Sequence, residues 1–343
     1  MGMGFWGVRF CLIGVALPLT ASLALADKIP VTTDNFVRAE SDRFMGGIVN
    51  NGAFGKWDHT REPSPMDKQT VIRLNRDTLY SAQVLDLDAG PVTITLPDTD
   101  GRFISLQIIS EDHYTPHVYY EPGDHTITRE DVGTRYALAG VRILVNPDNA
   151  DDVGAVHALQ DKLAVKQDAS GTFEVPDWDE ASQAKVRASL LTLSGMLPDT
   201  RGMFGAKGAV DPVRHLLGAA HAWGGNPEKD ALYLNVVPEK NDGDTVYSMT
   251  VGDVPVDGFW SVTVYDADGY FEPNASNAYS LNNITAKKGD DGKVTIQFGG
   301  CTDETVNCLP TPKGWNYMVR LYRPSASVLD GSWKFPVAEE RHS

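Results

Sequence analysis

The chain has 343 residues, with 46 Asp and Glu against 30 Lys and Arg and a net charge of −16. A chain this acidic, without a basic tract, repels phosphate backbones, so nucleic acid is not an expected partner. Its charges are dispersed as on a solvated surface, and its length suffices for two domains with separate cores.

Residues 1–26 read as a secretory signal. Arg9 is their only charge, an apolar stretch runs from Phe10 to Leu23, and Ala24-Leu25-Ala26 forms a small-residue exit. The stretch carries Pro18, Thr20 and Ser22 and is too short to span a bilayer. Cleavage before Asp27 would leave 29 basic against 46 acidic residues, a net charge of −17. A periplasmic or secreted protein is expected, with no membrane span after signal removal. Of the three cysteines, Cys301 and Cys308 would remain; in an exported chain that pair predicts one disulfide.

Thr32 to Met45 has apolar residues at helical spacing, ended by Gly46-Gly47 and Asn50-Asn51-Gly52, and 54–69 reads as an ordered loop holding Trp57 and His59. Short runs rich in Val, Ile and Thr predict strands at Val71–Asn75, Leu79–Leu87, Pro91–Leu96 and Phe103–Ile109. Further strands are predicted at Val118–Tyr120, His125–Thr128, Tyr136–Ala139 and Val141–Val145, with Gly, Pro and Asp turns between the runs. Helices follow at Asp151–Val165, at Asp179–Leu197 and from Asp211-Pro212 to Gly224-Gly225, and the pattern returns to strand from Leu232. The predicted fold class is mainly β with a helical insert: two related antiparallel, jelly-roll-like sandwiches joined by helices. The expected divisions are 27–69 (helix and loop), 70–147 (first sandwich), 148–231 (connector) and 232–343 (second sandwich).

The two sandwiches read as one unit used twice. Asp77-Thr78-Leu79-Tyr80-Ser81 returns as Asp244-Thr245-Val246-Tyr247-Ser248, and Phe103, Ser105, Asp112 and Tyr114 return as Phe259, Ser261, Asp268 and Tyr270. Val141-Arg142-Ile143-Leu144 is echoed by Val319-Arg320-Leu321-Tyr322.

Long motifs carry a resemblance to a known family. NRDTLYSAQVLDLDAGPVTITLPD, EDHYTPHVYYEPGDHTIT and GTRYALAGVRILVNP resemble the bacterial domain of unknown function 1254. DGFWSVTVYDADGYFEPNASNAYSLNN and GWNYMVRLYRPSASVLDGSWKFP resemble its usual C-terminal partner, domain of unknown function 1214. The resemblance implies two sandwiches with attached helices and supplies no reaction or catalytic residue.

Candidate chemistry therefore rests on the residues themselves. Glu111-Asp112-His113-Tyr114 sits at a strand exit, where an acid beside an imidazole can orient it for general-base work. Turn chemistry explains the same four residues. The second copy has Gly269 in place of His113 and Gly243 in place of Arg76, which favours Glu111, His113 and Arg76 as the residues that structure alone does not require. Arg76 suits an anionic substrate, or a buried ion pair. Tyr114, Tyr119 and Tyr120 could form a stacking wall, Trp57 a lid, and Asn274, Asn282 and Asn283 contacts for a sugar hydroxyl or turn residues. Asp266-Ala267-Asp268-Gly269 reads as a turn rather than a calcium loop. His215 and His221 do not share a helix face, and HExxH, GxSxG and Walker patterns are absent, so no metal or cofactor is expected. Two functions stay open. One is an enzyme acting on a small polar molecule or cell-envelope saccharide in a groove between the sandwiches, with Glu111, His113 and Arg76 as its catalytic residues. The other is a non-catalytic carbohydrate- or envelope-binding or assembly module.

Overall fold

The computed structural model describes residue 1 and residues 28–69, 72–197 and 199–341. Apart from Met1, the expected signal segment lies outside the described residues, as do positions 70–71 at the start of the first expected strand.

The first unit opens with α1 (Phe36–Asn50), β1 (Asp58–His59), β2 (Thr78–Asp86), β3 (Val92–Leu96), β4 (Ile104–Ser110), β5 (His117–Tyr119) and β6 (Gly123–Ile127). It continues through the one-turn α2 (Arg129–Val132), β7 (Tyr136–Leu144), α3 (Ala150–Gln160) and β8 (Ala164–Lys166). Helices α4 (Glu180–Ser194) and α5 (Pro212–His221) lead to β9 (Ala231–Val236), β10 (Tyr247–Val251), β11 (Trp260–Tyr265), β12 (Ser280–Asn282) and β13 (Val294–Phe298). The chain ends with β14 (Cys308–Leu309), β15 (Asn316–Tyr322), the short α6 (Ala326–Leu329) and β16 (Glu339–Glu340).

Each unit is a sandwich. In the first, sheet β1-β2-β7-β4-β5 faces sheet β6-β3-β8; in the second, β12-β11-β15-β9 faces β14-β13-β10-β16. Among the named strands every pairing is antiparallel except that of β13 with β14. Alternation drives the closure: Val92, Ile94 and Leu96 of β3 point inward to meet Ala137, Ala139, Val141 and Ile143 of β7. In the second unit Met249, Val251, Ile296 and Phe298 meet Val262, Tyr317, Val319 and Leu321.

Several boundaries differ from the sequence reading, for physical reasons. Helix α1 runs through Gly46-Gly47, because Met45 is anchored in a core with Val84, Ile109, Tyr136 and Leu138. The two runs expected at 136–145 form a single strand through Gly140. The helix expected to reach Val165 stops at Gln160, since residues 164–166 are used to complete the small sheet against β3. Residues 72–77 form a lead-in rather than a strand. The connector does not bridge both units evenly. Helices α1, α4 and α5 share an apolar core of Phe36, Ala39, Leu190, Leu217 and Ala219 and cover the outer face of the first sheet.

The duplication is exact in register. Arg142 of β7 lies between Tyr80 and Ser105, and Arg320 of β15 lies between Tyr233 and Ser261. This corrects part of the expected repeat. The counterpart of Asp77-Thr78-Leu79-Tyr80 is Asp230-Ala231-Leu232-Tyr233, not the DTVYS stretch, because β10 belongs to the opposite sheet and pairs with β13. Corner hydrogen bonds repeat as well: Val145 N–H donates to Asp77 O as Arg323 N–H donates to Asp230 O, each at 2.9 Å.

Candidate functional site

The two outer sheet faces meet around Phe103 and Phe259, equivalent residues whose rings touch edge-on at 5.0 Å beside Tyr322. Gly258 makes this approach possible. A Cβ there would stand 2.7 Å from Tyr322 O and 3.1 Å from the Phe103 ring. Around the contact, the lead-in of each sandwich crosses to the other. Arg320 donates to the carbonyl oxygens of Arg73 (3.0 Å) and Leu74 (3.4 Å), while Arg142 donates to Gly224 O (3.2 Å) and to Gln107 Oε1 (2.6 Å).

Beside this plug lies a cleft of about 690 Å³ with walls from both sandwiches. The first contributes Arg102, Phe103, Tyr120 and Glu121, the second Asp257, Asn283 and Arg323. Its character is mixed: five carboxylates (Asp98, Asp100, Glu121, Asp152, Asp257) stand against two guanidinium groups. Arg102 is committed to Asp152, with one hydrogen bond at 3.0 Å, and to Leu144 O. Arg323 is not so committed. Its guanidinium lies 4.5 Å over the Tyr120 ring, and its nearest acid, Asp257, is 3.9 Å away. Its backbone is left-handed, φ 53°, a conformation disfavoured for a non-glycine residue. Tyr120 OH donates to Asp230 Oδ1 at 2.8 Å, and burial, with Asp230 second, pushes its phenol well above the usual range. Burial opposes ionisation of Asp152, but hydrogen bonds from Arg102 and the Asn146 N–H hold it below its ordinary value.

The Glu111–Tyr114 turn is a second polar centre, buried under the helices. It matches the turn at Asp266–Tyr270 bond for bond. Ser110 N–H donates to Tyr114 O and His113 N–H to Ser110 O, as Asp266 N–H donates to Tyr270 O and Gly269 N–H to Asp266 O. Tyr114 N–H donates to Ser110 Oγ where Tyr270 N–H donates to Asp266 Oδ1. His113 thus holds, at φ 63°, the left-handed corner that Gly269 fills at φ 88°. Its ring is 2% exposed, stacks on Trp223 at 5.5 Å, and accepts the Gly224 N–H on Nε2 at 2.9 Å. Nδ1, which then carries the proton, has no hydrogen-bond partner among the described residues. Burial, then His215, drives the imidazole down to about 3, so it is neutral. Glu111 is buried beside Asp42 of α1. Asp42 is raised to about 7, by burial first and by Glu111 against the Trp178 N–H that stabilises its anion. Arg38 serves this pair, 3.6 Å from Glu111 and hydrogen-bonded to Asp112.

The other predicted residues scatter. Arg76 forms no hydrogen bond or ion pair with Glu111 or His113; it donates to Ser64 O and Met66 Sδ and lies 5.9 Å over the Tyr279 ring. Nor does it pair with Asp77, which accepts from Ser280 and Asn282 instead. Asn282 is 1% exposed, its amide spent on Asp77 and on capping Ile284 and Thr285. Trp57 packs against the first core rather than over a cleft. Tyr119 is stacked between His117 (5.4 Å) and His125 (4.3 Å), and Tyr114 on His215 (4.5 Å). The Asp266–Gly269 segment is the expected turn, with Asp266 accepting from Asp268 and Tyr270 N–H. Among the described residues no group of three or more His, Cys, Asp and Glu is placed to hold a metal, and no helix is long and apolar enough to cross a membrane. Sequence reasoning missed Arg323 and Arg102. The available signal for Arg323 was its place directly after the Arg320-Leu321-Tyr322 echo.

Comparison with known proteins bears on both halves. Protein of unknown function DUF1254 matches residues 54–131, and protein of unknown function DUF1214 matches residues 235–326. The chain carries both domains, DUF1254 followed by DUF1214. Its cleft takes Arg102, Phe103 and Tyr120 from the DUF1254 match and Asp257, Asn283 and Arg323 from the DUF1214 match. The crystal structure of the VPA0106 protein from Vibrio parahaemolyticus is similar over 90% of this chain and 98% of that one, with TM-score 0.67 and 17% identity. An uncharacterised protein from Burkholderia cenocepacia is similar over 90% and 88%, with TM-score 0.50 and 11% identity. Likeness at these identities concerns the fold alone. A search of curated proteins gives no match.

Proposed function

We propose that the protein is exported and binds a saccharide, or another polyhydroxylated molecule of similar size, in the cleft between its sandwiches. Arg323 carries the reading: its backbone is left-handed, and its weakly paired guanidinium stacks on Tyr120 at a two-domain cleft. A sugar needs an aromatic face for its C–H surface, with donors and acceptors for its hydroxyls. Phe103, Tyr120, Arg323, Asn283 and Glu121 supply that set, and about 690 Å³ falls within the usual range for small ligands. Binding without turnover fits the cleft's electrostatics, since its shifted groups, Tyr120 and Asp152, move away from neutrality and are not poised for proton transfer. The catalytic alternative requires Glu111, His113 and Arg76 to act together, and their contacts are separate. Export is supported by the signal-like residues 1–26 and by the Cys301–Cys308 disulfide, which suits an oxidising compartment.

Calorimetric titration of the protein with a panel of neutral mono- and oligosaccharides tests the reading. At least one sugar should bind, and Arg323→Ala should weaken it at least tenfold without lowering the melting temperature. Absence of binding across the panel, or equal binding by Arg323→Ala, would overturn it.

A further inference from the structure

On the far side of the second sandwich the charge balance reverses. A groove of about 510 Å³ lies on the outer face of sheet β14-β13-β10-β16, lined by Lys287, Lys288, Lys293 and Arg341 and a single carboxylate, Asp291. Its floor comes from strand alternation. Tyr247, Met249, Ile296 and Phe298 point into the core, so Ser248, Thr295 and Gln297 point outward. Among the described residues none of the four cations has a carboxylate within 4.0 Å. Four unpaired cations around one concavity, in a chain of net charge −16, are a local concentration of positive potential.

The groove is also held in shape. Gln297 donates its amide to Gly299 O (3.0 Å) and Gly300 O (3.1 Å), which turns Oε1 toward Arg341 to accept at 2.7 Å. Asn307, at φ 52°, accepts the Lys287 N–H (2.8 Å) and donates to Lys287 O (2.7 Å) and Thr295 O (3.2 Å). Its neighbour Cys308 is bound to Cys301, so the disulfide loop fixes the segment that carries two of the lysines.

We infer that this groove binds a phosphate group borne on a small soluble sugar or polyol. Three ammonium groups and a guanidinium offer charge-assisted donors to a phosphate monoester, and the Ser248 and Thr295 hydroxyls add neutral ones. The site is separate from the inter-domain cleft and shares no lining residue with it.

Titration with glucose 1-phosphate, inorganic phosphate and glucose, at low and physiological salt, tests the proposal, with sedimentation on phosphatidylglycerol vesicles as a further arm. Glucose 1-phosphate should bind at least tenfold more tightly than glucose, and its affinity should fall as salt rises. The Lys287→Ala/Lys293→Ala/Arg341→Ala variant changes exposed side chains only. It should fold as the parent does and lose at least tenfold in affinity for glucose 1-phosphate. Asn307→Ala, which removes no cation, should lose severalfold. Binding of inorganic phosphate alone, binding to vesicles without binding to the soluble ester, or an unaffected triple variant would each overturn the proposal.

Discussion

Asp77 and Asp230 occupy the same place in the two sandwiches, and each carboxylate is held by the other sandwich. Asp77 Oδ1 accepts from Ser280 Oγ (2.9 Å) and Asn282 Nδ2 (3.1 Å), and Asp230 Oδ1 accepts from Tyr120 OH (2.8 Å). Tyr120 and Asn282 are themselves equivalent, each following the paired residues Tyr119 and Leu281. Both acids are buried, so losing either leaves donors without partners.

Asp77→Ala should therefore cost about 2 kcal/mol, and Tyr120→Phe about 1 kcal/mol. A double-mutant cycle of Tyr120→Phe with Asp230→Ala, read by urea unfolding, should show coupling of about 1 kcal/mol. Strict additivity would mean that the hydrogen bond contributes nothing to stability.

At the His113 corner two effects separate by substitution. His113→Ala loses the ring stacked on Trp223 and the acceptor for Gly224 N–H while keeping a strained backbone. A cost of about 3 kcal/mol is expected. His113→Gly loses the same contacts but relaxes the left-handed corner, and should recover about 1 kcal/mol of that loss. Equal stabilities for the two variants would remove backbone strain from the account.

Acid titration should expose two opposed groups. The native His113 ring refuses a proton until about pH 3, while its ordinary value is 6.5, so stability falls as pH drops through that window. Asp42 is raised from 3.8 to about 7, so the folded carboxyl keeps a proton that the unfolded chain has released. Stability from Asp42 accordingly grows as pH falls from about 7 toward 3.8. Between these values the two partly cancel. Melting curves of His113→Asn should show stability rising from pH 7 to pH 4 relative to the parent, and Asp42→Asn should show the reverse. Parallel curves for all three proteins would sink the assignment.

The Cys301–Cys308 bridge closes a short loop, with its cysteines seven positions apart. Replacing both by serine should cost about 2 kcal/mol. The effect should be local, since β14 (Cys308–Leu309) pairs with β13 at the edge of one sheet. Hydrogen exchange should speed up in β13 and β14 and stay unchanged in β2, β4 and β7. Uniform loss of protection would contradict that locality.

Much of this architecture is legible in the sequence. The alternation in Val92–Leu96 and the density of β-branched, aliphatic and aromatic residues in β4 and β15 mark strands, and the Arg142/Arg320 echo holds in register. The DTLYS echo misled because letters do not report which sheet a strand joins. Its structural counterpart, Asp230-Ala231-Leu232-Tyr233, sat at an expected boundary between connector and sandwich. The cleft was less legible still. Arg102 and Arg323 are brought together by two chain corners, and no local spacing encodes such a meeting. His113 stands out in the sequence because its echo is Gly269, and both positions hold the same left-handed backbone corner.

The crossed lead-ins have a consequence for how the molecule holds together. Asp77 reaches the second sandwich and Asp230 the first, while the equivalent rings of Phe103 and Phe259 touch at the centre. A contact answered by its own mirror exchange is the signature of an isologous, two-fold interface between identical subunits. Here both partners lie on one polypeptide, so each sandwich meets its counterpart at an effective concentration that separate halves in dilute solution could not reach.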